Sequence, residues 1–253
     1  MALLEVRDLY TGFGSHPVLH GVEFDVDHGE FVAILGLNGA GKSVTLNCVS
    51  GLVEIWRGSV LLDGDDISHL QPEDRVRAGL AHVPQGSRVF PNLTVEQNLR
   101  LGGATVADKD RYAANLDRVL EVFPRLRERM DQGAGTMSGG ERAMLAAGRA
   151  LMSDPKLLIV DEPSQGLAPT AVADLAEVLR QVNDAGTAVL LVEQNVTFAI
   201  RLAERLYLLQ KGAVALHTAV EDLEDPSELL DALGMGTLLA DRVRRAVAAR
   251  VGR

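Results

Sequence analysis

The fold is decided by a short glycine-rich stretch, Gly36-Leu37-Asn38-Gly39-Ala40-Gly41-Lys42-Ser43. This stretch fits the pattern G-x-x-x-x-G-K-S/T at every fixed position. The apolar run Phe31–Leu35 before it predicts a buried strand, and residues 44–50 after it predict a helix. Glycines let successive backbone N–H groups turn inward around a phosphate, and the helix presents its positive end to the same anion. Because an ordinary glycine-rich turn needs no strand and helix around it, we predict a phosphate-binding loop.

The side chains at the end of this loop carry the expected chemistry. In loops of this pattern, the lysine at position 42 reaches the β- and γ-phosphates and the hydroxyl of Ser43 ligates Mg²⁺. The motif therefore predicts a nucleoside triphosphate that arrives with Mg²⁺. The candidate phosphate contacts are Gly36, Leu37, Asn38, Gly39, Ala40, Gly41, Lys42, Ser43 and Val44.

A second candidate site is acidic and follows another apolar run, Leu157-Leu158-Ile159-Val160-Asp161-Glu162. Four apolar residues predict a buried strand, and two carboxylates emerge at its carboxyl end. Ligands of open α/β sheets bind at that edge. We expect Asp161 to hold Mg²⁺, directly or through water, and Glu162 to polarise an attacking water.

The wider pattern predicts an α/β fold with a mostly parallel sheet, because strand-like runs alternate with helical segments. A third run covers residues 187–192, and residues 170–185 show a helical stripe that stops at Gly186. Short alternating segments in the first 30 residues and at 58–64 predict an antiparallel β portion. Residues 95–152 read as helical, with breaks at Pro124 and at 132–135, so we expect a helical insertion in the α/β core.

A third motif, Met137-Ser138-Gly139-Gly140-Glu141, precedes one of these helices. Ser138 and Glu141 have the spacing of a capping box, which by itself means only a well-started helix. A cap does not require two adjacent glycines, which weaken a first helical turn. The glycines make sense if the backbone and the Ser138 hydroxyl must approach a phosphate.

Composition excludes several classes of function. The chain has 253 residues, the size of one large domain or two small ones. It has 25 Lys and Arg against 35 Asp and Glu, which gives a net charge of −10. This balance argues against broad binding to nucleic acid or anionic lipid, both of which need a basic face. The single Cys48 and the lack of a signal-peptide pattern predict a reducing cytoplasmic compartment. Apolar runs such as Phe31–Leu35 are far shorter than a membrane helix, so we expect any membrane role to come through a partner.

In this order, the motifs resemble the ATP-binding cassette (ABC) family of transporter ATPases over residues 1–234. The matching features are Phe13-Gly14, GLNGAGKS, Gln85, MSGGE and LLIVDEPS. The resemblance implies one domain with a P-loop NTPase core, an N-terminal antiparallel β portion and a helical subdomain at about residues 88–155. More narrowly, residues 83–99, 161–169 and 192–195 resemble the LivF-type subunit of branched-chain amino-acid importers.

The resemblance also implies roles for matching positions. Phe13 stacks on adenine with Val18 beside it, although a tyrosine is commoner at the first position. Gln85 contacts Mg²⁺ or the attacking water, and Glu162 and Gln194 are the catalytic residues. The signature residues contact ATP across a dimer, and residues 164–168 form the loop that crosses to the second subunit. The signature residues are Ser138, Gly139, Gly140 and Glu141.

One position departs from most of the family, which carries a histidine where this chain has Gln194. An amide can donate a hydrogen bond to the γ-phosphate but cannot become a cation at neutral pH. LivF-type subunits also have glutamine here, so the departure supports that subfamily. The preceding Glu193 is an alternative catalytic base, and we favour Glu162 because it directly follows the Mg²⁺ carboxylate.

The function implied by the resemblance is hydrolysis of ATP to power a membrane importer from the cytoplasmic face of the membrane. The implied partners are a second ABC ATPase subunit, identical or related, two permease subunits and, indirectly, a substrate-binding protein. We expect Phe90, Pro91 and Leu93 to form the groove that receives a permease helix, the alternative being burial within the helical portion. Branched-chain amino acids are the favoured cargo, with urea, short amides or other amino acids as alternatives.

Two other classes compete with this interpretation. Soluble ABC ATPases that act on DNA or ribosomes usually have a long coiled coil or two cassettes, and this acidic chain shows neither. P-loop kinases and GTPases have no mechanical use for the MSGGE segment.

The last 19 residues, 235–253, form a basic extension with five arginines and one acid. Leu239, Val243, Val247 and Val251 recur every four residues, which predicts a helix with an apolar stripe. The segment 221–234 just before it holds six acids and no base. We expect the extension to fold back on this segment or to contact a partner, with a lipid contact and a frayed end as the alternatives.

Overall fold

The computed structural model describes residues 2–86, 88–223, 229, 230, 233, 243 and 245–247. These residues form two sheets and a set of helices. In chain order, the strands are β1 (Ala2–Phe13), β2 (His16–Asp27), β3 (Phe31–Leu35), β4 (Arg57–Leu62), β5 (Asp65–Asp66), β6 (Leu80–Val83), β7 (Leu157–Asp161), β8 (Ala188–Glu193), β9 (Arg205–Gln210) and β10 (Ala213–Ala219).

The named helices lie between these strands. They are α1 (Lys42–Val49), α2 (Pro72–Ala78), α3 (Val95–Gly102), α4 (Lys109–Val122), α5 (Pro124–Arg127), α6 (Gly139–Leu151), α7 (Pro169–Asp184) and α8 (Val196–Leu202), with 3₁₀ turns at Gly103–Thr105 and Ala134–Thr136.

The larger sheet has the order β10-β9-β3-β8-β7-β6. All neighbours are parallel except β10, which runs antiparallel to β9. Every residue of β3, β7 and β8 is buried, as expected for strands covered on both faces. The three apolar runs that predicted parallel strands are therefore confirmed, with the third run shifted by one residue.

The smaller sheet has the order β2-β1-β4-β5 and is antiparallel, which confirms the predicted antiparallel portion. Helix α1 lies between the two sheets. Its residues Leu46 and Cys48 are fully buried in one apolar cluster with Val32 of the larger sheet and Leu19 of the smaller. Because both sheets cover it, α1 is fixed firmly, and so is the glycine-rich loop that leads into it.

The predicted helical insertion, which lies between the phosphate loop and the acidic motif, is present as α3 to α6. Pro124 begins α5, and the second 3₁₀ turn interrupts the chain where the glycines predicted a break. Leu99 of α3, Leu145 of α6 and Leu179 of α7 belong to the apolar cluster that covers the other face of the larger sheet. The insertion therefore shares a core with that sheet, and the assignment of residues 88–155 as a subdomain stays a prediction.

Most of the basic extension lies outside the described residues, including Leu239, Val251 and Arg242, Arg244, Arg250 and Arg253. Val243 and Ala246 are buried in the same core cluster as Leu230, while Arg245 is exposed. The described part of the apolar stripe thus packs on the core of the domain. Contact of the extension with the acidic segment stays a prediction.

The end of α3 approaches α6 closely at Gly102, and the packing of the helical insertion depends on this contact. A Cβ atom at Gly102 would lie 1.9 Å from the backbone oxygen of Arg149. We expect Gly102→Ala to lower stability by about 1–3 kcal/mol, because such overpacking forces the backbone to shift. Thermal unfolding should show a melting temperature lower by roughly 2–4 °C per kcal/mol.

The matched control is Gly133→Ala. A Cβ at Gly133 would meet no atom within 4 Å, and its φ of −65° suits alanine. The control should melt like the parent protein. Equal melting temperatures for both variants would contradict the proposed close approach.

Candidate nucleotide site

The carboxyl ends of three neighbouring strands bring the candidate residues together. Leu35 at the end of β3 is paired with Glu193 on β8, and Asp161 at the end of β7 is paired with Val192. The glycine-rich loop leaves β3 at this edge, and Glu162 follows β7 at the same edge. The first two predicted motifs, far apart in sequence, therefore meet in one place.

The glycine-rich loop adopts the conformation that its sequence requires. Gly41 precedes α1 with a φ of +105°, a left-handed conformation that favours glycine. A Cβ at Gly36 would lie 2.6 Å from the backbone oxygen of Leu209, so the first glycine is needed for close packing against β9. Val44 is half-buried in α1, and Leu37, Asn38 and Gly39 are exposed at the tip of the loop.

Lys42 is buried and points back across its own loop. Its Nζ donates to the backbone oxygens of Gly36 at 2.9 Å and of Leu37 at 3.1 Å. The same Nζ forms an ion pair with Oε1 of Glu162 at 2.9 Å, and the two side chains are only 4% and 6% exposed. The lysine and the glutamate of the two motifs are thus in direct contact.

Gln85 also contacts Glu162, and it comes from the end of another strand, β6. It follows β6 and is half-buried. Its Nε2 donates to Oε2 of Glu162 at 3.0 Å and to Oε1 of Gln165 at 2.8 Å. Both carboxylate oxygens of Glu162 are therefore held, one by Lys42 and one by Gln85.

The backbone at Glu162 is strained, which explains how its side chain reaches Lys42. Its φ is +42°, a left-handed value that costs a residue other than glycine about 1–3 kcal/mol. The Glu162 N–H donates to the backbone oxygen of Val192 at 2.8 Å, which fixes the turn against β8. Strain of this kind is typical of functional sites.

Asp161 lies beside this pair and has an unused oxygen. Its Oδ1 is buried and has no hydrogen-bond partner. Burial raises the pKa of Asp161, the charges of Glu162 and Glu193 raise it further, and hydrogen bonding from Ser43 and the charge of Lys42 oppose the shift. Three carboxylates and one lysine therefore lie close together, so the site has an excess of negative charge and one oxygen without a hydrogen-bond partner.

Gln194 lies just past the end of β8, beside the loop that follows Glu162. Together with Ser164, Thr197 and Arg201, it lines an open groove of about 740 Å³. The exposed Arg245 of the basic extension also lines this groove.

The signature motif forms the predicted capping box at the start of α6. The backbone N–H of Ser138 donates to Oε2 of Glu141 at 2.9 Å, and Oγ of Ser138 accepts from the Glu141 N–H at 3.3 Å. Gly140 has an additional packing reason, because a Cβ there would lie 2.9 Å from Cβ of Ala171. Within the described part of the chain, Ser138 and Glu141 make no hydrogen bond or ion pair to the cluster around Lys42. The structure does not bring the signature to the phosphate loop of the same chain.

Two further groups of predicted residues lie on the surface. Phe13, at the end of β1, is 59% exposed, so it is not a core aromatic, and Val18, near the start of β2, is half-buried. Phe90 is 49% exposed, Pro91 is exposed and Leu93 is half-buried. Burial within the helical portion is therefore not the role of Phe90 or Pro91.

Sequence reasoning missed how Phe90 is held. Asn98 is fully buried, and its side chain accepts from the N–H of Phe90 at 2.9 Å and donates to its backbone oxygen at 3.1 Å. The Arg149 guanidinium lies 5.1 Å from the centre of the Phe90 ring and donates to the backbone oxygen of Arg88. An asparagine near the start of a helix was the available signal, but it indicates no particular partner.

A second contact that the sequence analysis does not predict involves His82 on β6. Its Nδ1 lies 2.9 Å from Oγ of Ser50, the residue that ends α1. Burial lowers the pKa of His82 to about 4, so the ring is neutral at physiological pH. This contact joins the end of the helix after the phosphate loop to the strand that leads to Gln85.

A model of the ABC transporter family matches residues 19–165, more than half of the chain. The chain belongs to the ABC transporter family. Its fold class and its motif-based recognition are therefore confirmed, and as an ABC ATPase it binds nucleotide and hydrolyses ATP to power transport.

Two curated relatives in the ABC family are similar over most of the chain. The high-affinity branched-chain amino acid transport ATP-binding protein BraG of Pseudomonas aeruginosa is 46% identical over 215 residues, covering 85% of this chain and 92% of BraG. The probable branched-chain amino acid transport ATP-binding protein LivF of Archaeoglobus fulgidus is 39% identical over 236 residues, covering 92% and 99%.

A solved structure of an ATP-binding subunit of an ABC transporter has the same fold. It matches with a TM-score of 0.77 and 31% identity, covering 97% of this chain and 99% of that one. Among the residues that the structure describes, no helix has both the length and the hydropathy needed to span a bilayer.

Proposed function

We propose that this chain is the ATP-hydrolysing subunit of an importer for branched-chain amino acids. The observation that carries the cargo class is its 46% identity to BraG across 92% of that protein. The similarity to LivF across 99% of its length points to the same class. In this proposal the cargo is bound by membrane and binding subunits, and this chain supplies the energy.

In the proposed nucleotide complex, the glycine-rich loop wraps the phosphates. The backbone of Leu37, Asn38 and Gly39 is exposed, so its N–H groups are accessible to the phosphates, and the amino end of α1 faces the same anion. The exposed ring of Phe13 offers a flat apolar face to the adenine, with Val18 beside it.

We also propose that Mg²⁺ arrives with the nucleotide and is held by Asp161, Ser43 and Gln85. The residues fit the ion because Oδ1 of Asp161 is buried without a partner and carboxylates outnumber cations there. Mg²⁺ prefers oxygen ligands and neutralises charge on the β- and γ-phosphates.

Glu162 is the proposed general base. The phosphates of ATP compete with its carboxylate for Lys42, so binding of ATP frees Oε1 to accept a proton from water. Gln85 keeps hold of Oε2, which orients the carboxylate during this exchange. Gln194, which follows β8 at the same edge of the sheet, donates a hydrogen bond to the γ-phosphate in this proposal.

A second ATPase subunit, identical or related, completes the site. The signature residues Ser138, Gly139 and Gly140 are at least partly exposed at the start of α6. Within the part of the chain that the structure describes, their hydrogen bonds stay at the start of α6 and do not reach the phosphate loop. Facing another subunit, the same helix start would meet that subunit's ATP. Each ATP would then lie between two chains.

Two permease subunits are the proposed membrane partners, and a substrate-binding protein acts through them at the opposite face. The permease contact includes Phe90, Pro91 and Leu93. Phe90 suits an anchor, because Asn98 fixes its backbone and Arg149 supports its ring before any partner arrives. Such preorganisation lowers the entropy lost on binding. The chain would then lie at the cytoplasmic face of the membrane as a peripheral subunit.

The test of this function is purification of the chain from native membranes in mild detergent, followed by reconstitution in vesicles. We expect two hydrophobic subunits to co-purify and leucine uptake to depend on ATP. Copurification with ribosomes or DNA, or uptake of urea in place of leucine, would contradict the proposal.

The role of Glu162 predicts the behaviour of Glu162→Gln. Glutamine preserves the shape but cannot take up a proton, so hydrolysis should slow by roughly 10²- to 10⁴-fold. ATP binding should persist, and the ATP-bound dimer should accumulate. Turnover assays and sizing with and without MgATP measure these effects.

Glu177→Gln is the matched control, because Glu177 is an exposed carboxylate on α7. It should hydrolyse ATP at the parental rate. Unimpaired turnover in Glu162→Gln, with a monomer in both conditions, would place the base elsewhere.

The proposed permease contact predicts that Phe90→Ser weakens assembly. Loss of a buried aromatic anchor typically removes about 2 kcal/mol of binding free energy, roughly 30-fold in affinity. Melting temperature should change little, because half of the side chain is already exposed. Affinity for reconstituted permease and ATP-driven uptake are the measurements.

Trp56→Ser provides the comparison, since Trp56 is 45% exposed just before β4, in the antiparallel portion. It should assemble normally. A Phe90→Ser protein that assembles and transports as well as this comparison variant would remove Phe90 from the contact.

A further inference from the structure

Glu193 is a buried acid that the mechanism above does not use. It ends β8, which lies between β3 and β7, the strands that lead to Lys42 and Glu162, and it is 2% exposed. Its Oε1 accepts from the Ser164 N–H at 3.0 Å, and its Oε2 accepts from the N–H groups of Gln194 at 3.0 Å and Asn195 at 3.1 Å. No ion pair joins it to a cation within the described residues.

The three donors belong to two different loops. Ser164 begins the segment 164–168 that follows Glu162, and Gln194 and Asn195 lead from β8 into α8. Asn195 itself caps α8, because its side chain accepts from the N–H of Phe198 at 3.2 Å. One carboxylate therefore ties the loop after the proposed base to the residue proposed to face the γ-phosphate.

The carboxylate is suited to this task in a way that an amide is not. Each carboxylate oxygen accepts hydrogen bonds from a different loop. An ionised carboxylate has two acceptor oxygens and no hydrogen-bond donor. Glutamine has one oxygen and one NH₂ group. Its NH₂ would face a backbone N–H, so one loop would lose its partner and leave a buried donor unsatisfied.

These contacts also exclude Glu193 from acting as the base. Both oxygens are engaged by backbone N–H groups that belong to the fold, so accepting a proton would require breaking the connection between the loops. Glu162, in contrast, is held by side chains of Lys42 and Gln85, which can exchange partners.

We propose that Glu193 is a positioning residue for ATP hydrolysis, which holds segment 164–168 and Gln194 at a fixed separation across the groove that they share. This proposal rests on the proposed roles of Gln194 and of the second subunit. Nucleotide affinity should not depend on Glu193, because the phosphate loop leaves a different strand. The rate of the chemical step should depend on it, since a misplacement of about 1 Å can cost about 10²-fold.

The experiment compares steady-state hydrolysis by Glu193→Gln with that by the parent protein. We expect kcat to fall by roughly 10- to 100-fold while KM and the affinity for MgATP stay near parental values. In a double-mutant cycle with Gln194→Ala, the double variant should lose less activity than the product of the two single losses, because part of the effect of Glu193 acts through Gln194. Additive losses, or a parental kcat in Glu193→Gln, would overturn the proposal.

Glu30→Gln is the matched control. Glu30 is another buried carboxylate that accepts a backbone N–H, from Asp27 at 2.8 Å, but it precedes β3 at the opposite edge of the sheet. It should lower the melting temperature, because Arg205 loses a partner, without changing kcat of the folded protein. If Glu30→Gln loses as much kcat as Glu193→Gln, the effect is general destabilisation and the proposal fails.

A measurement on the parent protein covers the case in which Glu193→Gln does not fold. Amide hydrogen exchange should be slow at Ser164, Gln194 and Asn195 and fast at exposed Gly166 in the same loop. Fast exchange at Ser164 would overturn the proposed connection. Failure of the parent protein to hydrolyse ATP would instead count against the proposed function.

Discussion

Lys42 and Glu162 form an ion pair in the interior of the protein, with 2.9 Å between Nζ and Oε1 and almost no exposure of either side chain. Removing two charges from water costs several kcal/mol for each, and their attraction offsets this only where other hydrogen bonds complete the geometry. Two loop carbonyls complete it for Lys42, and Gln85 completes it for Glu162. The rest of the site is arranged around this pair.

The sheet supplies the constraint that makes the pair possible. Strand β8 lies between β3 and β7, so the loop after β3 and the turn after β7 emerge on either side of Glu193. The left-handed turn at Glu162 directs its carboxylate toward Lys42. Packing of α1 between two sheets prevents the loop from moving away. The site is therefore a consequence of strand order, of one strained residue and of one buried helix.

Much of this was predictable from the sequence because it depends on local patterns. Apolar runs of strand length identified β3, β7 and β8, and the spacing of Ser138 and Glu141 identified the start of α6. The phosphate loop was predictable because its glycines fit one backbone conformation. The meeting of the first two motifs followed from the rule that parallel strands present ligands at their carboxyl edge.

What the sequence did not reveal depends on backbone groups and on distant neighbours. From the sequence, Glu193 is an alternative catalytic base. The structure shows that its carboxylate accepts hydrogen bonds from three backbone N–H groups and so joins two loops. Asn98 and Arg149 hold Phe90 in place, and no rule of sequence spacing pairs either residue with Phe90. Such pairings arise from the way in which loops and helices pack, which residue patterns do not specify.

The most direct measurement is a double-mutant cycle on the ion pair, with urea unfolding of Lys42→Met, Glu162→Gln and the double variant in the absence of nucleotide. Each single variant leaves one buried charge uncompensated. The double variant should therefore lose less unfolding free energy than the sum of the losses in the two single variants. The expected coupling free energy is about 1–3 kcal/mol. Losses that add within about 0.5 kcal/mol would contradict the claim that this pair organises the site.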